Sequence, residues 1–118
     1  MAPAQTRLKR RAEFLRVASK GRKAALPGLV LQALARADDA PARLGFTVTR
    51  KVGNAVVRNR TRRRLKEAAR LLLADRPVIG ADLVLIGRDA TRGRAFAALI
   101  ADLRQALAKV GLAQAGRP

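Results

Sequence analysis

The chain has 118 residues, the size of one compact domain, and 49% of them are hydrophobic, which indicates a globular rather than a disordered chain. It contains no cysteine and no histidine, which excludes disulfides, thiolate or imidazole metal sites, and serine–histidine or cysteine catalysis. Lysine and arginine number 26 against 8 acids, a net charge of +18, so the expected partner is an acidic polymer.

The first third of the chain predicts a helix, a turn and a strand. Apolar residues in 12–20 recur at helical spacing, and Gly21 is placed to end that helix. Pro27-Gly28 predicts a turn. Residues 29–36 favour a strand, although their Ala and Gln leave a helix open as an alternative.

A second strand is predicted more clearly over residues 43–50, after a polar turn at 38–41. The adjacent acids of that turn, Asp38 and Asp39, are interpreted as satisfied or solvated turn residues rather than as a site. The strand alternates, with one face of larger apolar side chains and one of small or polar ones. The first face comprises Leu44, Phe46 and Val48, and the second Gly45, Thr47 and Thr49. The first face is expected in the core and the second at the floor of a groove.

A long central helix is predicted from Asn54, as its N-cap, to about Asp75. Pro77 and Gly80 close it. Its apolar stripe follows the helical period and consists of Val57, Thr61, Leu65, Ala68 and Leu72.

The last third predicts a strand and a helix. The apolar run over 82–87 is typical of a strand covered on both faces. Thr91 is expected to cap the final helix, which Gly111 ends, and residues 1–6 and 112–118 are expected to fray. The stripe of that helix is assigned to the core and comprises Phe96, Leu99, Ile100, Leu103, Leu107 and Val110. The apolar runs are too short to cross a bilayer, so we expect a soluble, cytoplasmic protein with no membrane partner.

The positive charge is concentrated in two segments. Residues 1–23 carry eight basic residues against Glu13, and residues 50–70 carry nine against Glu67, so together they hold +15 of the +18. A solvated face is the simplest explanation of one such run, but two dense runs with almost no acid favour a binding surface.

The start of the central helix contradicts ordinary helix electrostatics, because arginines crowd the end where the helix dipole favours acids. These arginines surround nearly the whole face that the apolar stripe leaves free, and Arg58 and Arg64 lie at the two margins of the stripe. Arg63 is spaced to form an ion pair with Glu67. Arginine binds phosphate through two parallel hydrogen bonds, so the cluster predicts a folded, phosphate-rich target.

The string from Lys51 to Arg60, Lys-Val-Gly-Asn-Ala-Val-Val-Arg-Asn-Arg, resembles the arginine–asparagine–arginine signature of the bacterial ribonuclease P protein subunit. Weaker matches follow the family's order over nearly the whole chain. They are Leu8-Lys9 with Glu13-Phe14 and Val17, then 45–50, then Ile86-Gly87-Arg88.

This resemblance implies the fold and the function. The fold would be a single-domain α+β sandwich over residues 1–118, of order αβββαβα, with a mixed four-stranded sheet, a short strand near 22–25 and a left-handed β-α-β crossover. The function would be that of the ribonuclease P protein subunit, which supports endonucleolytic removal of the 5′ leader during tRNA maturation. The partners would be the catalytic RNA and precursor tRNA, with no protein partner required. Catalysis and its Mg²⁺ would belong to the RNA, so the protein would have no catalytic residue, no metal ligand and no cofactor.

The resemblance also assigns two surfaces. Contacts to the catalytic RNA would come from Lys9, Arg10, Arg50, Lys51, Arg58, Asn59, Arg60, Arg62 and Arg63. The leader would lie in a cleft between the first helix and the sheet, formed by Phe14, Val17, Val30 and Gln32. Ala18 and Gln32 stand where family members often have aromatic residues, so this cleft would stack the leader mainly through Phe14.

Two other classes of protein share parts of this pattern. A ribosomal or other structural RNA-binding protein would have the same charge but no reason for the signature. A stand-alone nuclease needs clustered carboxylates or a histidine base, whereas the eight acids are scattered along the chain.

Overall fold

The computed structural model describes residues 6–112, which form three helices and five strands in the order β1-α1-β2-β3-β4-α2-β5-α3. The helices are α1 (Arg11–Lys20), α2 (Ala55–Asp75) and α3 (Phe96–Lys109). The strands are β1 (Thr6–Arg7), β2 (Arg22–Leu26), β3 (Leu29–Ala35), β4 (Arg43–Val48) and β5 (Ala81–Gly87). Short 3-10 turns follow β4 at Arg50–Val52 and β5 at Asp89–Thr91.

The strands form one mixed sheet in the order β1-β4-β5-β3-β2. β4 is parallel to β5 and to β1, whereas β3 is antiparallel to both β5 and β2. The expected α+β class and mixed sheet are confirmed, as are the strand near 22–25 and the strand nature of β3. The expected count of four strands omits the two-residue strand β1, which has no apolar alternation of its own and exists only by pairing with β4.

Helices cover both faces of the sheet. Helices α2 and α3 lie on one face over a core built from leucines, among them Leu29, Leu31, Leu65, Leu83 and Leu103, all at most 1% exposed. Helix α1 lies alone on the other face, over a smaller cluster of Leu8, Val17 and Val84. Because β5 is covered on both sides, nearly every residue of it is buried, as its continuous apolar run predicts. In residues 6–112 no helix is both long and apolar enough to span a bilayer.

The connection from β4 through α2 to its parallel neighbour β5 is left-handed. The Leu44 side chain faces α2, and its carbonyl oxygen accepts a 2.8 Å hydrogen bond from the Leu8 N–H, next to β1. Consider β4 running upwards and viewed from the α2 side, so that the Leu44 side chain points towards the viewer. For an L-residue in this orientation, the backbone N–H and C=O both point to the right. Strand β1 therefore lies to the right of β4 and β5 to its left, behind α2. This confirms the expected exception to the right-handed rule.

The turn between β2 and β3 is anchored to the middle of α3 and to the 3-10 turn before that helix. The Gly28 N–H donates to Asp102 Oδ2 at 2.9 Å, and the Thr91 hydroxyl donates to the Gly28 carbonyl at 2.6 Å. The prediction that Thr91 caps α3 is wrong, since Ala95 is the N-cap and Thr91 ends the 3-10 turn before it. The Thr91 hydroxyl does accept a hydrogen bond from a backbone N–H, as a capping residue would, but the donor is Arg88, at 2.8 Å, in the 3-10 turn.

Boundaries also differ from the prediction at the end of β4 and at the two ends of the chain. Strand β4 ends at Val48 rather than residue 50, because Arg50 enters a 3-10 turn. Most of the segments expected to fray lie outside the described residues, but their inner ends are ordered. Thr6 pairs with Arg43, and Leu112 packs against the core and donates its N–H to the Leu107 carbonyl at 2.7 Å. Gly111 ends α3 as predicted, with φ of +83°.

Candidate nucleic-acid interface

The acids of this chain are used by the fold. All eight lie within the described residues, and seven of them form a salt bridge with an arginine: Glu13, Asp38, Glu67, Asp75, Asp82, Asp89 and Asp102. Asp38 is satisfied within its turn, as predicted, by Arg36 and by the Ala40 N–H. No group of three acids within residues 6–112 is arranged to hold a metal ion.

Asp82 is the most heavily engaged of these acids. It lies in β5 with its side chain 6% exposed, and it accepts from Arg36 at 2.6 Å and from Arg43 at 2.8 and 2.7 Å. Burial acts to raise the pKa of Asp82, but the hydrogen bonds from Arg43 and Arg36 together outweigh it and lower that pKa. Arg43 also reaches Glu13 at 2.8 Å, which ties α1 to the sheet. The pKa of Glu13 is lowered chiefly by the backbone N–H groups of Arg10 and Lys9.

The positive clusters are left without acidic partners by this arrangement. Of the nine basic residues in 50–70, all of which the structure describes, only Arg70 forms a salt bridge. Its partner is Glu67, at 2.5 Å, so the predicted pairing of Arg63 with Glu67 is wrong. Arg70 lies on the exposed side of α2 and donates to Glu67 from two of its guanidinium nitrogens, Nε and Nη2. The other eight cations have no carboxylate partner within the described residues, and an unneutralised cluster of this kind attracts phosphate.

Helix α2 begins where the sequence predicts. Asn54 is the N-cap, and its side-chain oxygen accepts from the Val57 N–H at 3.0 Å. Arg50 and Lys51 are exposed in the 3-10 turn just before this cap. The turn therefore adds two cations beside the first turn of α2, on the side where β4 ends.

Apart from Arg70, the basic residues of α2 divide between two flanks of the helix. One, the sheet-edge flank, lies on the side nearest β1; its cations Arg58, Arg62 and Lys66 follow i, i+4 spacing, and it includes the neighbouring Asn59. The other, the α3 flank, faces the start of α3 and comprises Arg60, Arg63 and Arg64. The predicted RNA-contact residues thus do not share one surface, and the arginine–asparagine–arginine signature spans both flanks.

The sheet-edge flank is continued by a cation from β1. Arg62 is held by a 2.8 Å hydrogen bond to Asn59, and the Arg7 guanidinium lies 5.1 Å from the ring centre of Phe46 on β4. Burial lowers the pKa of Lys66, and the nearby charges of Arg7, Arg62 and Arg63 lower it further. Such mutual repulsion among cations is relieved when an anion binds between them.

The cleft between α1 and the sheet is shaped by Phe14 and Gly45. A Cβ atom at Gly45 would lie 2.5 Å from the Phe14 ring, so the ring occupies the space of the missing side chain. Phe14 is half-buried, and one part of it stays open. The prediction that Val17 lines the cleft is wrong. Its side chain packs on Leu8 and Val84 beneath α1 and is only 1% exposed.

Beside Phe14, part of the sheet is uncovered. Strand register places four small or apolar residues side by side across four strands, in the order Thr47, Ile86, Val30, Ala25. We call this row the open strip. Three of its residues are half-buried and Ala25 is exposed. Adjacent strands lie about 4.8 Å apart, so the row is roughly 14 Å long, enough for two or three extended nucleotides. Gln32 lies in the next row towards α1, half-buried.

Basic residues stand at both ends of the cleft. Lys9 and Arg10 are exposed just before α1, where their backbone N–H groups bind Glu13 at 3.0 Å each. Lys23 is exposed on β2 and lies opposite Gln32 of β3 in the strand register. A chain of phosphates lying along the open strip would therefore meet cations on either side.

The sequence reasoning placed Thr47 at the floor of a groove but missed Ile86, Arg7 and Lys66 as candidate contacts. The polar face that it predicted for β4 contains Thr47, and strand pairing alone brings Ile86 beside it. Arg7 and Lys66 could be counted as charges, but their proximity depends on β1, which carries no sequence signal.

Comparison with known proteins agrees with this architecture. The sequence model of the family described as Ribonuclease P matches residues 2–111. The ribonuclease P protein component of Gluconacetobacter diazotrophicus is 68% identical over 112 residues, which cover 95% of this chain and 97% of that protein. That of Paramagnetospirillum magneticum is 50% identical over 118 residues, covering 97% and 89%.

Solved structures show the same fold. The ribonuclease P protein of Staphylococcus aureus superposes with a TM-score of 0.75 at 25% identity, covering 92% of this chain and 98% of that one. The protein from Thermotoga maritima superposes with a TM-score of 0.72 at 27% identity, covering 90% and 96%. With a family match over nearly the whole chain and close relatives of the same length, this chain belongs to the ribonuclease P protein family.

Proposed function

We propose that the chain is the protein subunit of ribonuclease P, which binds the catalytic RNA and the 5′ leader of precursor tRNA and so supports removal of that leader. The observation that carries this proposal is the combination of eight unpaired cations on and before α2 with an uncovered apolar strip on the opposite face of the sheet. Family membership supports the same function, since the relatives are named ribonuclease P protein components.

Helix α2 and the turn before it are proposed to bind the catalytic RNA. Folded RNA presents closely spaced phosphates, and planar guanidinium groups bind them through paired hydrogen bonds. The sheet-edge flank, with Arg50 and Lys51, offers such donors in a fixed arrangement because Asn59 already holds Arg62. Lys9 and Arg10 extend the positive surface at the start of α1.

The open strip and Phe14 are proposed to hold the leader. A single strand has unpaired bases that gain free energy by lying on an aromatic or apolar surface, without sequence preference. Phe14 supplies one partly open ring, and Val30 and Ile86 supply a flat apolar surface beside it. Gln32 offers an amide at the margin of the strip. A leader of two or three extended nucleotides matches the roughly 14 Å length of the strip.

The proposed enzyme is the ribonucleoprotein, with catalysis and Mg²⁺ in the RNA. The acids of the protein support this division, because seven of the eight form salt bridges with arginines, and those of Glu13 and Asp82 connect separate elements of the fold. The proposed compartment is the cytoplasm, where precursor tRNA and the catalytic RNA are made, and the proposed assembly needs neither a protein partner nor a membrane.

Salt dependence of binding tests the assignment of the sheet-edge flank. We expect Arg62→Gln to weaken binding to the catalytic RNA and to reduce the slope of log K against log salt by about 0.7–0.9 for one lost phosphate contact. Arg104→Gln, on the exposed side of α3, is the matched control because it removes the same charge away from both flanks. Equal losses for the two variants would show that only net charge matters and would contradict the assignment.

A further inference from the structure

The α3 flank of α2 borders a cavity to which the proposed function assigns no ligand of its own, although Arg60 and Arg63 are among the predicted RNA contacts. This cavity, of about 590 Å³, lies between α2 and the start of α3 and has the volume of a small-molecule site. It opens on the face of the sheet opposite the open strip, since α2 and α3 both cover that face. Its lining consists of Val57, Arg60, Thr61, Arg63, Arg64, Glu67, Arg92 and Phe96.

The rim of the cavity is strongly cationic. Four arginines face one carboxylate, and that carboxylate, Glu67, is already bound by Arg70 through two hydrogen bonds. Arg60 and Arg63 form no salt bridge within residues 6–112, and Arg92 reaches only the exposed Asp89, at 3.1 Å. The cavity therefore retains an excess of positive charge that an anion would neutralise.

The floor of the cavity is apolar and contains an aromatic ring. Phe96 and Val57 are both half-buried against the core. The Arg64 guanidinium lies 5.7 Å from the Phe96 ring centre and is held there by a hydrogen bond to the Arg94 carbonyl. The buried Nε–H of Arg64 has no acceptor within the described residues.

We infer that this cavity binds a nucleotide unit, with the base on the Phe96–Arg64 surface and the phosphate among Arg60, Arg63 and Arg92. A flat aromatic group and a phosphate in one molecule match the two halves of the lining, whereas inorganic phosphate would leave the apolar floor exposed. The nucleotide could be free in solution or part of an RNA chain, and the chemistry of recognition is the same.

Titration of the free, full-length protein with AMP, observed through its amide resonances at about 0.15 M salt, tests this inference. We expect AMP to bind at least about fivefold more tightly than ribose 5-phosphate, because base stacking adds to phosphate binding. The largest shifts should fall on Thr61, Phe96 and their neighbours. AMP binding no tighter than ribose 5-phosphate, or shifts centred on Val30 and Ile86, would overturn the inference.

Three variants identify the groups responsible. Phe96→Leu should remove the preference for AMP over ribose 5-phosphate, whereas Phe96→Tyr, which keeps the ring and guards against a folding defect, should preserve it. Arg92→Gln should weaken both ligands several-fold, and the control Arg104→Gln should weaken neither. A Phe96→Leu protein that folds and still prefers AMP would overturn the proposed stacking.

The source of the nucleotide is decided by the trinucleotide ApApA. If ApApA binds at least as tightly as AMP and loses that affinity in Phe96→Leu, the cavity binds a nucleotide that is part of an RNA chain. If ApApA binds more weakly than AMP, the cavity binds a free mononucleotide. Either result supports the site. The inference rests on the proposed function to the extent that the two share Arg60 and Arg63. Because the AMP and ApApA titrations contain neither the catalytic RNA nor precursor tRNA, failure of the cavity to bind can be distinguished from failure of the proposed function.

Discussion

Replacing Phe14 tests the leader cleft most sharply, because this side chain has both a buried and an open part. Truncating a fully buried phenylalanine costs about 3–5 kcal/mol, so the half-buried Phe14 should lose roughly 2 kcal/mol in Phe14→Ala. For a domain of this size that corresponds to a fall in Tm of about 10 °C. Phe14→Leu keeps an apolar side chain over Gly45 and should cost less than half as much.

The effect on binding should follow the ring rather than stability. Stacking of a base on an aromatic side chain contributes about 1–3 kcal/mol to binding. Both Phe14 variants should therefore lower the affinity for precursor tRNA by roughly 5-fold or more. The assay is equilibrium binding to the assembled enzyme, with precursor tRNA that carries several leader nucleotides and with mature tRNA. Leu15→Ala is the control, since Leu15 is 54% exposed on the same helix. If mature tRNA lost as much affinity as precursor tRNA, or if Phe14→Leu bound the leader normally, the stacking role would be refuted.

Three further predictions concern the contacts that support these surfaces. Asp82→Asn should lower the free energy of unfolding by about 3 kcal/mol in urea at pH 7, because it leaves Arg36 and Arg43 without their shared carboxylate; a change below 1 kcal/mol would contradict this. The pKa values of Asp82 and Glu13 are lowered in the folded state, so the stability that these carboxylates contribute should be constant above about pH 5 and be lost as the pH falls through 4 and below. A urea midpoint that stays unchanged down to pH 3 would contradict this pH dependence. Gly45→Ala should cost about 1–3 kcal/mol by collision with the Phe14 ring, and much less in a Phe14→Ala background; equal costs in both backgrounds would place the strain elsewhere.

Local patterns in the sequence predicted most of the elements. The cap at Asn54, the length of α2 and the two-sided burial of β5 follow from residues close together in the chain, and each agrees with the structure. The left-handed crossover came only from the family resemblance, because periodicity contains no information about handedness.

The parts that could not be predicted depend on pairing between distant segments. Strand β1 has two residues and forms only because β4 offers it a free edge, so the approach of Arg7 to Lys66 has no local signal. Thr91 resembles an N-cap residue, and only the packing of the β2–β3 turn against α3 shows why its hydroxyl is used elsewhere. Val17 and Phe14 both lie on the inner side of α1, but what lies beneath each of them comes from distant strands: Leu8 and Val84 pack against Val17, and Gly45 makes room for the Phe14 ring.

Reconstitution of 5′ processing tests the central claim most directly. Precursor tRNA with a leader of several nucleotides would be incubated with a bacterial ribonuclease P RNA at low Mg²⁺, with the protein, without it, and with the protein alone. The account predicts that the protein markedly increases cleavage at the mature 5′ end by the RNA, and that the protein alone cleaves nothing. Cleavage by the protein alone, or an RNA whose activity the protein leaves unchanged, would contradict it.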